Sequence, residues 1–399
     1  MEYDLVFEGG GAKGMVFVGA MQAFGEAEHT MGRLLGTSAG AITATLLAAG
    51  YTTQEMLEAL VEEQGGQPVF LGFMGVPGPF DETEVANSAM IEFFRAVDLP
   101  LVPEFIEKKI DGALVTLLSK SKKYSHLFSF VERGGWFTAQ KFLVWMEKKL
   151  NTGQVNGKAR QFGGMTLLEF FQATGKELSL VASDTTGQQV LVLNHRTAPQ
   201  CPIVWAVRMS MSIPLVWEEV EWFPEWGTYR EHDISGHHIV DGGVLSNFPI
   251  ELLVSNAPHV VAVMGEKKVG NIIGMLIDEK LPVPNAPLVP EKSSGLDFGR
   301  LKTIQRLKRL VDTMTNAHDK QIIDSLSDLV VRLPAKGYGT TEFDMTDDRR
   351  NALVAAGKQA MGDYVAAWEA ADSKGIDLVH LERVQEASTR IATGILSGG

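Results

Sequence analysis

The segment Gly36-Thr37-Ser38-Ala39-Gly40 has the residue types and spacing of a nucleophile turn. A serine flanked by glycines on a strand-to-helix turn can adopt the strained backbone that lifts its hydroxyl above a sheet. The positive N-terminus of the following helix then stabilises an anion formed there. The apolar pair Leu34-Leu35 precedes the segment, and the Ala- and Leu-rich stretch Ala41 to Ala49 follows it. This context predicts Ser38 as a nucleophile, with Gly36 and Gly40 shaping the turn, although a plain Gly/Ser turn is the alternative.

A glycine-rich run, Gly9-Gly10-Gly11-Ala12-Lys13-Gly14, stands between a short apolar strand, Tyr3 to Phe7, and a helical pattern, Met15 to Phe24. Its spacing matches the dinucleotide fingerprint, which requires an acidic residue about 20 positions further on. Glu28 comes too early for that role, so a nucleotide is the weaker interpretation, and the spacing of Lys13 excludes a P-loop. A structural turn and a nest of amides that cradles an oxyanion, with Lys13 adding positive charge, remain as alternatives.

A carboxylate follows another predicted strand, His238 to Val240, at Asp241-Gly242-Gly243. Open α/β sheets place functional groups at the carboxyl ends of strands, and a serine nucleophile needs a base. Histidine is the commoner base, and the spacing does not choose between Asp241 and the histidines. The histidine candidates are His195, His237, His238, His259, His318 and His380.

A second cluster, His232, Asp233, His237 and His238, has ligand types that bind metals. In a surface loop such side chains are more often solvated. We therefore predict no metal and no other cofactor.

The elements that must position these groups alternate between strand and helix. Further apolar runs typical of strands are Leu178 to Ala182, Gln189 to Leu193, Val260 to Met264 and Leu329 to Leu333, with helical patterns between them. This alternation predicts an α/β protein with a doubly wound, mostly parallel sheet and helices on both faces.

Two regions depart from this alternation. Residues 65–164 combine a Pro/Gly-rich stretch with helical patterns and contain no run typical of a parallel strand, which indicates a mainly helical insertion. The stretch of about 269–300 contains four prolines, which predicts a mobile loop or lid. Its apolar part, Ile272 to Ile277, would form one wall of an apolar trough. An amphipathic helix is predicted from Arg300 to Leu329.

Composition and charge restrict the class of protein. A chain of 399 residues with 45% hydrophobic residues can bury a large core. The single cysteine, Cys201, allows no intrachain disulfide and no Cys-rich zinc site, and fits a reducing compartment. No secretory signal and no apolar run of the ~20 residues that span a bilayer is evident. A net charge of −13 disfavours nucleic acid as a partner. From the absence of disulfides, of a secretory signal and of a membrane span, we expect a cytoplasmic protein with at most a peripheral membrane contact.

The motifs around Gly9 to Gly14, Ser38 and Asp241, in this order, resemble those of the patatin-like phospholipase family. Secondary matches are Ala182-Ser183-Asp184-Thr185-Thr186-Gly187, Arg208-Met209-Ser210-Met211-Ser212-Ile213-Pro214, and the stretch from Phe343-Asp344 to Ala356-Gly357. The resemblance covers most of residues 3–368, with the insertion excepted, and Glu8 before the glycines is a mild departure from the family pattern.

The resemblance implies a three-layer α/β fold and a Ser-Asp dyad without histidine. Ser38 would be the nucleophile and Asp241, followed by Gly242 and Gly243, the base, while amides of Gly9 to Gly14 would form the oxyanion hole. The implied reaction is hydrolysis of phospholipid or a related lipid ester through an acyl-enzyme. Because a free aspartate has a pKa of about 3.9, burial would have to raise its basicity. We therefore predict a catalytic domain over 1–368 and a C-terminal helical extension over 369–399, which lies outside the resemblance.

Two other functions stay open from the sequence. One is a soluble esterase or thioesterase without a membrane role, and the other is a non-catalytic module that binds phosphate or nucleotide on the same fold. A membrane contact through the aromatic run Trp217, Trp222, Phe223 and Trp226 is a further hypothesis, although such residues more often belong to a core.

Overall fold

Eight strands form the central sheet in the computed structural model, which describes residues 1–90, 92, 121–268, 270–287, 323, 326–372 and 378–397. The described strands are β1 Glu2–Phe7, β2 Thr30–Thr37, β3 Glu63–Gln64, β4 Gln67–Pro68, β5 Gly135–Phe137, β6 Gln154–Val155, β7 Lys158–Ala159, β8 Leu178–Asp184, β9 Gln189–Leu193, β10 Leu215–Trp217, β11 Val220–Glu221, β12 His238–Asp241, β13 Ile272–Pro282 and β14 Val330–Lys336.

Helices alternate with these strands along most of the chain. They are α1 Val16–Glu26, α2 Ala39–Ala48, α3 Thr53–Leu60, α4 Glu82–Ala86, α5 Lys122–Glu132, α6 Gln140–Leu150, α7 Leu167–Thr174, α8 Ile203–Ser210, α9 Glu251–Val254, α10 Pro258–Met264, α11 Asp347–Asp372 and α12 Leu378–Ser397. Short 3₁₀ helices at Gly11–Met15, Val69–Phe73 and Gly242–Val244 adjoin the regions of interest.

The sheet has the order β11-β12-β8-β2-β1-β13-β14, with β9 also paired to β8. The strands from β8 to β14 in this order run parallel, whereas β9, β11 and β12 are antiparallel to their neighbours. Alternate residues of β1 point to opposite faces, so Leu5 and Phe7 pack in the core with α1 and α2, while Val6 packs in the core with α9 and α10. These features confirm the predicted doubly wound α/β fold.

The apolar run Val260 to Met264, predicted as a strand, belongs to helix α10. Pro258 occupies the first turn, where its missing N–H leaves no hydrogen bond unmade. The buried residues Val260, Val263 and Met264 have the spacing of one helix face. The prediction was wrong because a short apolar run does not by itself distinguish a buried strand from a buried helix.

The predicted lid is also wrong over its first part. Ile272–Pro282 is strand β13, which lies inside the sheet between β1 and β14, with Ile272 to Ile277 buried. The prolines begin only at the end of this strand, so they terminate it and do not disrupt it. Residues 288–300 and nearly all of the helix predicted from Arg300 to Leu329 lie outside the described residues.

The described part of the insertion, 65–90 and 121–164, contains α4, α5 and α6, with the hairpin of β6 and β7. Contrary to expectation it also contributes a short parallel strand, since β5 pairs with β10 outside the central sheet. The indole N–H of Trp217, at the end of β10, donates to the carbonyl oxygen of Phe73 at 2.9 Å. The insertion is therefore attached to the segment that follows α8.

The C-terminal part of the chain packs on both faces of the sheet. Helix α11 packs along α1 and β14, and α12 packs against α9 with Ala392 and Ile395 buried. Because α11 continues to Asp372, the domain boundary proposed at residue 368 falls inside a helix and stays a prediction. Across the described ranges, every helix is too short or too polar to cross a bilayer.

Candidate active site

Ser38 occupies a strained turn between β2 and α2. Its backbone angles, φ 55° and ψ −120°, lie in a region that residues other than glycine rarely adopt. The amide of Ser38 donates to Ser210 Oγ at 3.0 Å, and the Ser210 hydroxyl donates to the carbonyl of Val181 at 2.5 Å. The turn is thus held from α8 and β8, and it has the geometry of a nucleophile elbow.

The flanking glycines permit close backbone contacts around the turn. A Cβ on Gly36 would lie 2.3 Å from the carbonyl oxygen of Gly40, and a Cβ on Gly40 would lie 2.2 Å from the carbonyl oxygen of Phe7. Both distances are far inside van der Waals contact. Any side chain at either position would displace α2 from the ends of β1 and β2.

Asp241 reaches the same place because two strands share one edge of β8. Strand β2 pairs with β8 as far as Thr37 opposite Val181, and β12 pairs with it from the other direction as far as Asp241 opposite Ala182. Strand β9 occupies the other edge over these residues. The carboxyl ends of β2 and β12 therefore face each other along β8. Ser38 is the residue immediately after the end of β2. The base candidate lies at a strand end as predicted, but the strand is antiparallel.

Asp241 is buried and incompletely hydrogen-bonded. Its Oδ1 accepts from the amide of Gly243 at 2.8 Å, while its Oδ2 has no hydrogen-bond partner among the described residues. Burial raises the pKa of Asp241 to about 7, and the nearby Ser38 hydroxyl and Gly243 amide oppose that rise only in part. The carboxylate next to Ser38 is therefore a much stronger base than an exposed aspartate.

The described histidines lie away from this pair. His237 Nδ1 is 2.8 Å from Asp184 Oδ2, and His195 stacks on Phe171. No described histidine lines the space around Ser38. His318 and the side chain of His380 lie outside the described residues.

The cluster considered for metal binding, from His232 to His238, does not assemble. In the portion of the chain that the structure describes, no three His, Cys, Asp or Glu side chains are grouped to hold a metal ion.

The glycine run lies against Ser38. A Cβ on Gly9 would be 3.1 Å from Ser38 Cβ. The amides of Gly10 and Gly11 donate to no described backbone carbonyl, and they stand at the start of a 3₁₀ helix, where amides have no internal partner. Within the described part of the chain these two amides have no backbone acceptor, so they can donate to an anion.

Other groups of the predicted nest are already engaged. The amide of Gly9 donates to the backbone carbonyl of Asn247 at 3.3 Å, and the amide of Ala12 donates to the backbone carbonyl of Thr340 at 2.8 Å. Lys13 is buried and its ammonium pairs with Glu279. The amides of Gly9, Ala12 and Lys13 are therefore already hydrogen-bonded, while those of Gly10 and Gly11 stay candidates for the predicted nest.

An apolar pocket opens beside Ser38, and the pocket together with its open mouth encloses about 740 Å³. Ser38 and Thr43 provide its hydroxyl groups, and the glycine loop provides backbone. The apolar lining consists of Ala12, Met15, Val18, Ala39, Ile42, Leu46, Met56, Ala59, Leu60, Phe70, Phe73, Trp145, Met211, Ile213, Trp217 and Phe343. A pocket of this composition accommodates hydrocarbon and disfavours charged groups.

The insertion supplies a wall of this pocket that the sequence did not predict. Phe70, Phe73 and Trp145 pack on one another with ring centroids 5.2 to 5.6 Å apart. No sequence motif identifies these three aromatic residues as a pocket wall. The local density of aromatic residues is the one sequence signal that could have indicated it. The segment predicted to wall the trough, Ile272 to Ile277, is absent from the pocket lining because it is a sheet strand.

The aromatic run considered for membrane contact is mostly core. Trp217, Trp222 and Trp226 are buried, and Trp217 lines the pocket. Phe223 alone among the four is exposed, at 42%. Three of the four residues therefore serve packing.

A doubly wound α/β fold that brings a strained serine, a buried carboxylate and an apolar pocket together at the carboxyl ends of its inner strands has the features of a hydrolase site. The family model described as patatin-like phospholipase matches residues 5–254, and the chain belongs to this family. Strands β13 and β14 lie beyond the matched residues but complete the same sheet.

The curated relatives differ in how much of their length the chain covers. It is 26% identical over 375 residues to the uncharacterized protein YqhO of Bacillus subtilis (strain 168), covering 92% of this chain and 99% of that protein. It is 25% identical over 270 residues to Triacylglycerol lipase 5 of Saccharomyces cerevisiae, covering 65% of this chain and 29% of the lipase. It is 21% identical over 252 residues to Probable lipid hydrolase 463L of Invertebrate iridescent virus 6, covering 63% of this chain and 62% of that protein.

Among solved structures, VipD from Legionella pneumophila is similar over 92% of this chain and 67% of its own, with 15% identity and a TM-score of 0.44. The family and the curated relatives support lipid hydrolysis as the general function.

Proposed function

We propose that the protein is a serine acyl hydrolase of phospholipids or related lipid esters. The observation that carries this proposal is the convergence of three features at one point: the strained Ser38, the buried carboxylate of Asp241 and the mouth of an apolar pocket. A hydrophobic acyl chain in the pocket would place its ester carbonyl beside the serine hydroxyl.

The first half-reaction forms an acyl-enzyme. Asp241 accepts the proton of the Ser38 hydroxyl as Ser38 Oγ attacks the ester carbonyl carbon. The amides of Gly10 and Gly11 donate to the resulting oxyanion, and the N-terminus of α2 adds its positive end. Collapse of the tetrahedral intermediate breaks the bond to the alcohol oxygen, which takes the proton from Asp241.

The second half-reaction releases the acid. Asp241, again unprotonated, removes a proton from water, and the water oxygen attacks the acyl carbonyl. The intermediate collapses by breaking the bond to Ser38 Oγ, which regains a proton from Asp241. A base with a pKa near the working pH suits both directions of transfer, and burial supplies that value here.

The pocket supports a substrate with an extended acyl chain. Its lining follows α2 from Ser38 to Leu46, a distance of about 12 Å at the rise of an α-helix. A nucleotide or phosphate would bring charge into this lining, so the non-catalytic alternative is disfavoured. A soluble esterase or thioesterase stays an alternative because the pocket recognises the acyl group and not the leaving group.

A fluorophosphonate probe tests the nucleophile. It should label the wild-type protein at Ser38 and leave Ser38→Ala unlabelled, with mass spectrometry of peptides locating the adduct. A lipid extract incubated with each protein then identifies the substrate by the phospholipid that disappears. Absence of labelling in folded wild-type protein would refute catalysis and favour the binding module, whereas labelling without phospholipid loss would favour the soluble esterase.

We also propose a peripheral contact with anionic phospholipid through helix α5. Tyr124, Leu127 and Val131 lie on one face of this helix and are 40% to 50% exposed, and Lys122 and Lys123 are exposed at its start. Helix α5 packs on β5, which pairs with the strand that ends in Trp217 of the pocket. The apolar face with adjoining positive charge fits an anionic bilayer surface. The cytoplasmic location stays a prediction.

A further inference from the structure

Glu8, the residue that departs from the family pattern, connects the glycine loop to two other segments. Its Oε2 accepts a hydrogen bond from the amide of Ile277 at 2.5 Å, and its Oε1 accepts from Asn247 Nδ2 at 3.1 Å. Ile277 belongs to β13, the neighbour of β1 in the sheet. The carboxylate therefore bridges the end of β1 to β13 on one side and to the loop after β12 on the other.

Asn247 holds Gly9 by both of its backbone polar groups. The Asn247 side-chain Nδ2 donates to the carbonyl of Gly9 at 3.1 Å, and the amide of Gly9 donates to the carbonyl of Asn247 at 3.3 Å. A Cβ on Gly9 would lie 2.2 Å from Asn247 Oδ1, so only glycine permits this approach. Strand β1 ends at Phe7, and these contacts replace sheet pairing where the strand has stopped.

The same asparagine lies against the segment that follows the base. Asp241 begins the turn Gly242–Val244, and a Cβ on Gly243 would lie 2.9 Å from Asn247 Oδ1. The amide of Gly243 is also the donor to Asp241 Oδ1. The Asn247 side chain therefore hydrogen-bonds to the loop that presents Gly10 and Gly11 and lies beside the turn that follows the base.

We propose that Glu8 and Asn247 form a positioning clamp that sets the distance and orientation between the oxyanion amides and the Ser38–Asp241 pair. The clamp rests on the proposed acyl-hydrolase function. Oxyanion donors act only when they are already aimed at the developing charge, and a displacement of about 1 Å can cost about a hundredfold in rate. Glu8 and Asn247 line no part of the pocket, so they act through the loops they hold.

The clamp predicts a loss in kcat without a matching change in KM. Asn247→Asp keeps the side-chain shape, removes the donor to Gly9 and sets a second carboxylate against Glu8. We expect its kcat for a short-chain soluble ester to fall by roughly 10- to 100-fold, with KM within about twofold of wild type. The rate of fluorophosphonate labelling should fall in parallel, because phosphonylation uses the same amides. Glu8→Gln should show a smaller fall in kcat and in labelling rate, again without a matching change in KM.

Asn271→Asp is the matched control at the opposite end of the same strands. The side-chain Nδ2 of Asn271 donates to the backbone carbonyl of Glu2 at 3.3 Å. The backbone carbonyl of Asn271 accepts from the amide of Asp4 at 2.9 Å. The control should keep wild-type kcat and labelling rate. The double variant Glu8→Gln with Asn247→Asp should recover part of the lost kcat, because the bond between the two side chains can form with reversed polarity.

Several outcomes would overturn the clamp: a kcat within twofold of wild type in both single variants, a loss expressed in KM, or an equal loss in Asn271→Asp. Thermal melting establishes whether each variant is folded. If Asn247→Asp does not fold, the kcat of Glu8→Gln decides whether the clamp positions the oxyanion amides. Failure of the wild-type protein itself to react with the probe or the ester would refute the proposed function, so the two failures are distinguishable.

Discussion

Replacing Asp241 by Asn should remove most activity and, above neutral pH, stabilise the folded protein. The pKa of this carboxyl rises from 3.8 to about 7 because it is buried. The native state therefore binds the proton more tightly than the unfolded chain does. It follows that this group lowers the free energy of unfolding progressively as pH rises from about 4 to about 7, and that the full cost is present above pH 7.

The size of the effect follows from the pKa difference. At 1.36 kcal/mol per pH unit, a rise from 3.8 to about 7 corresponds to roughly 4 kcal/mol. Asn carries no charge, so Asp241→Asn escapes this cost. Its gain in stability over wild type should be about 2 to 3 kcal/mol larger at pH 8 than at pH 5. Loss of packing or an unpaired Asn amide would add an offset that does not change with pH.

Urea denaturation of both proteins at pH 5, 6, 7 and 8 measures this difference, and all other titrating groups cancel in it. In parallel, kcat/KM of the wild-type enzyme should fall about tenfold for each pH unit below a midpoint near 7, since a protonated Asp241 is no base. The variant should be at least about a thousandfold slower, which is in the upper half of the range of about 10²- to 10⁴-fold that is usual for a general base. A stability difference independent of pH, or a flat activity profile from pH 5 to pH 8, would refute the assignment of Asp241 as a buried base.

The remaining predictions concern the nucleophile, the pocket, the membrane contact and metals. Ser38→Ala should abolish ester hydrolysis with an unchanged melting temperature, whereas no single His→Ala variant should approach the loss in Asp241→Asn; a histidine variant equally inactive would indicate a Ser/His triad. Leu46→Trp should reduce hydrolysis of long-chain esters at least about tenfold relative to short-chain esters, because it fills the pocket about 12 Å from Ser38; Val144→Trp, on the exposed side of α6, is its control, and equal ratios in the two variants would place the acyl chain elsewhere. Leu127→Glu should weaken sedimentation with anionic vesicles severalfold and leave soluble-ester turnover unchanged; unaltered sedimentation would exclude α5 as the contact. EDTA should leave turnover unchanged, and activity lost to EDTA and restored by calcium would require a metal site.

Much of the local chemistry could be predicted from neighbouring residues. The turn at Gly36 to Gly40, the glycine run before α1 and the alternation of strand and helix depend on backbone preferences that act over a few residues, and the structure places all three where the sequence predicts them. The family resemblance depended on the order of such local motifs. The roles of Ser38 and Asp241 follow from the same motifs and stay predictions.

Long-range pairing decided what the sequence could not. Val260 to Met264 became a helix and Ile272–Pro282 a central strand because burial against neighbouring elements, and not a short apolar run or the prolines beyond it, sets the state of such segments. The meeting of β2 and β12 on one edge of β8 joins Ser38 to a residue more than 200 positions away, and the burial that raises the pKa of Asp241 exists only once these strands have paired. The pocket wall formed by Phe70, Phe73 and Trp145 has the same origin, because packing across segments distant in sequence leaves no periodic or motif signal in the chain itself.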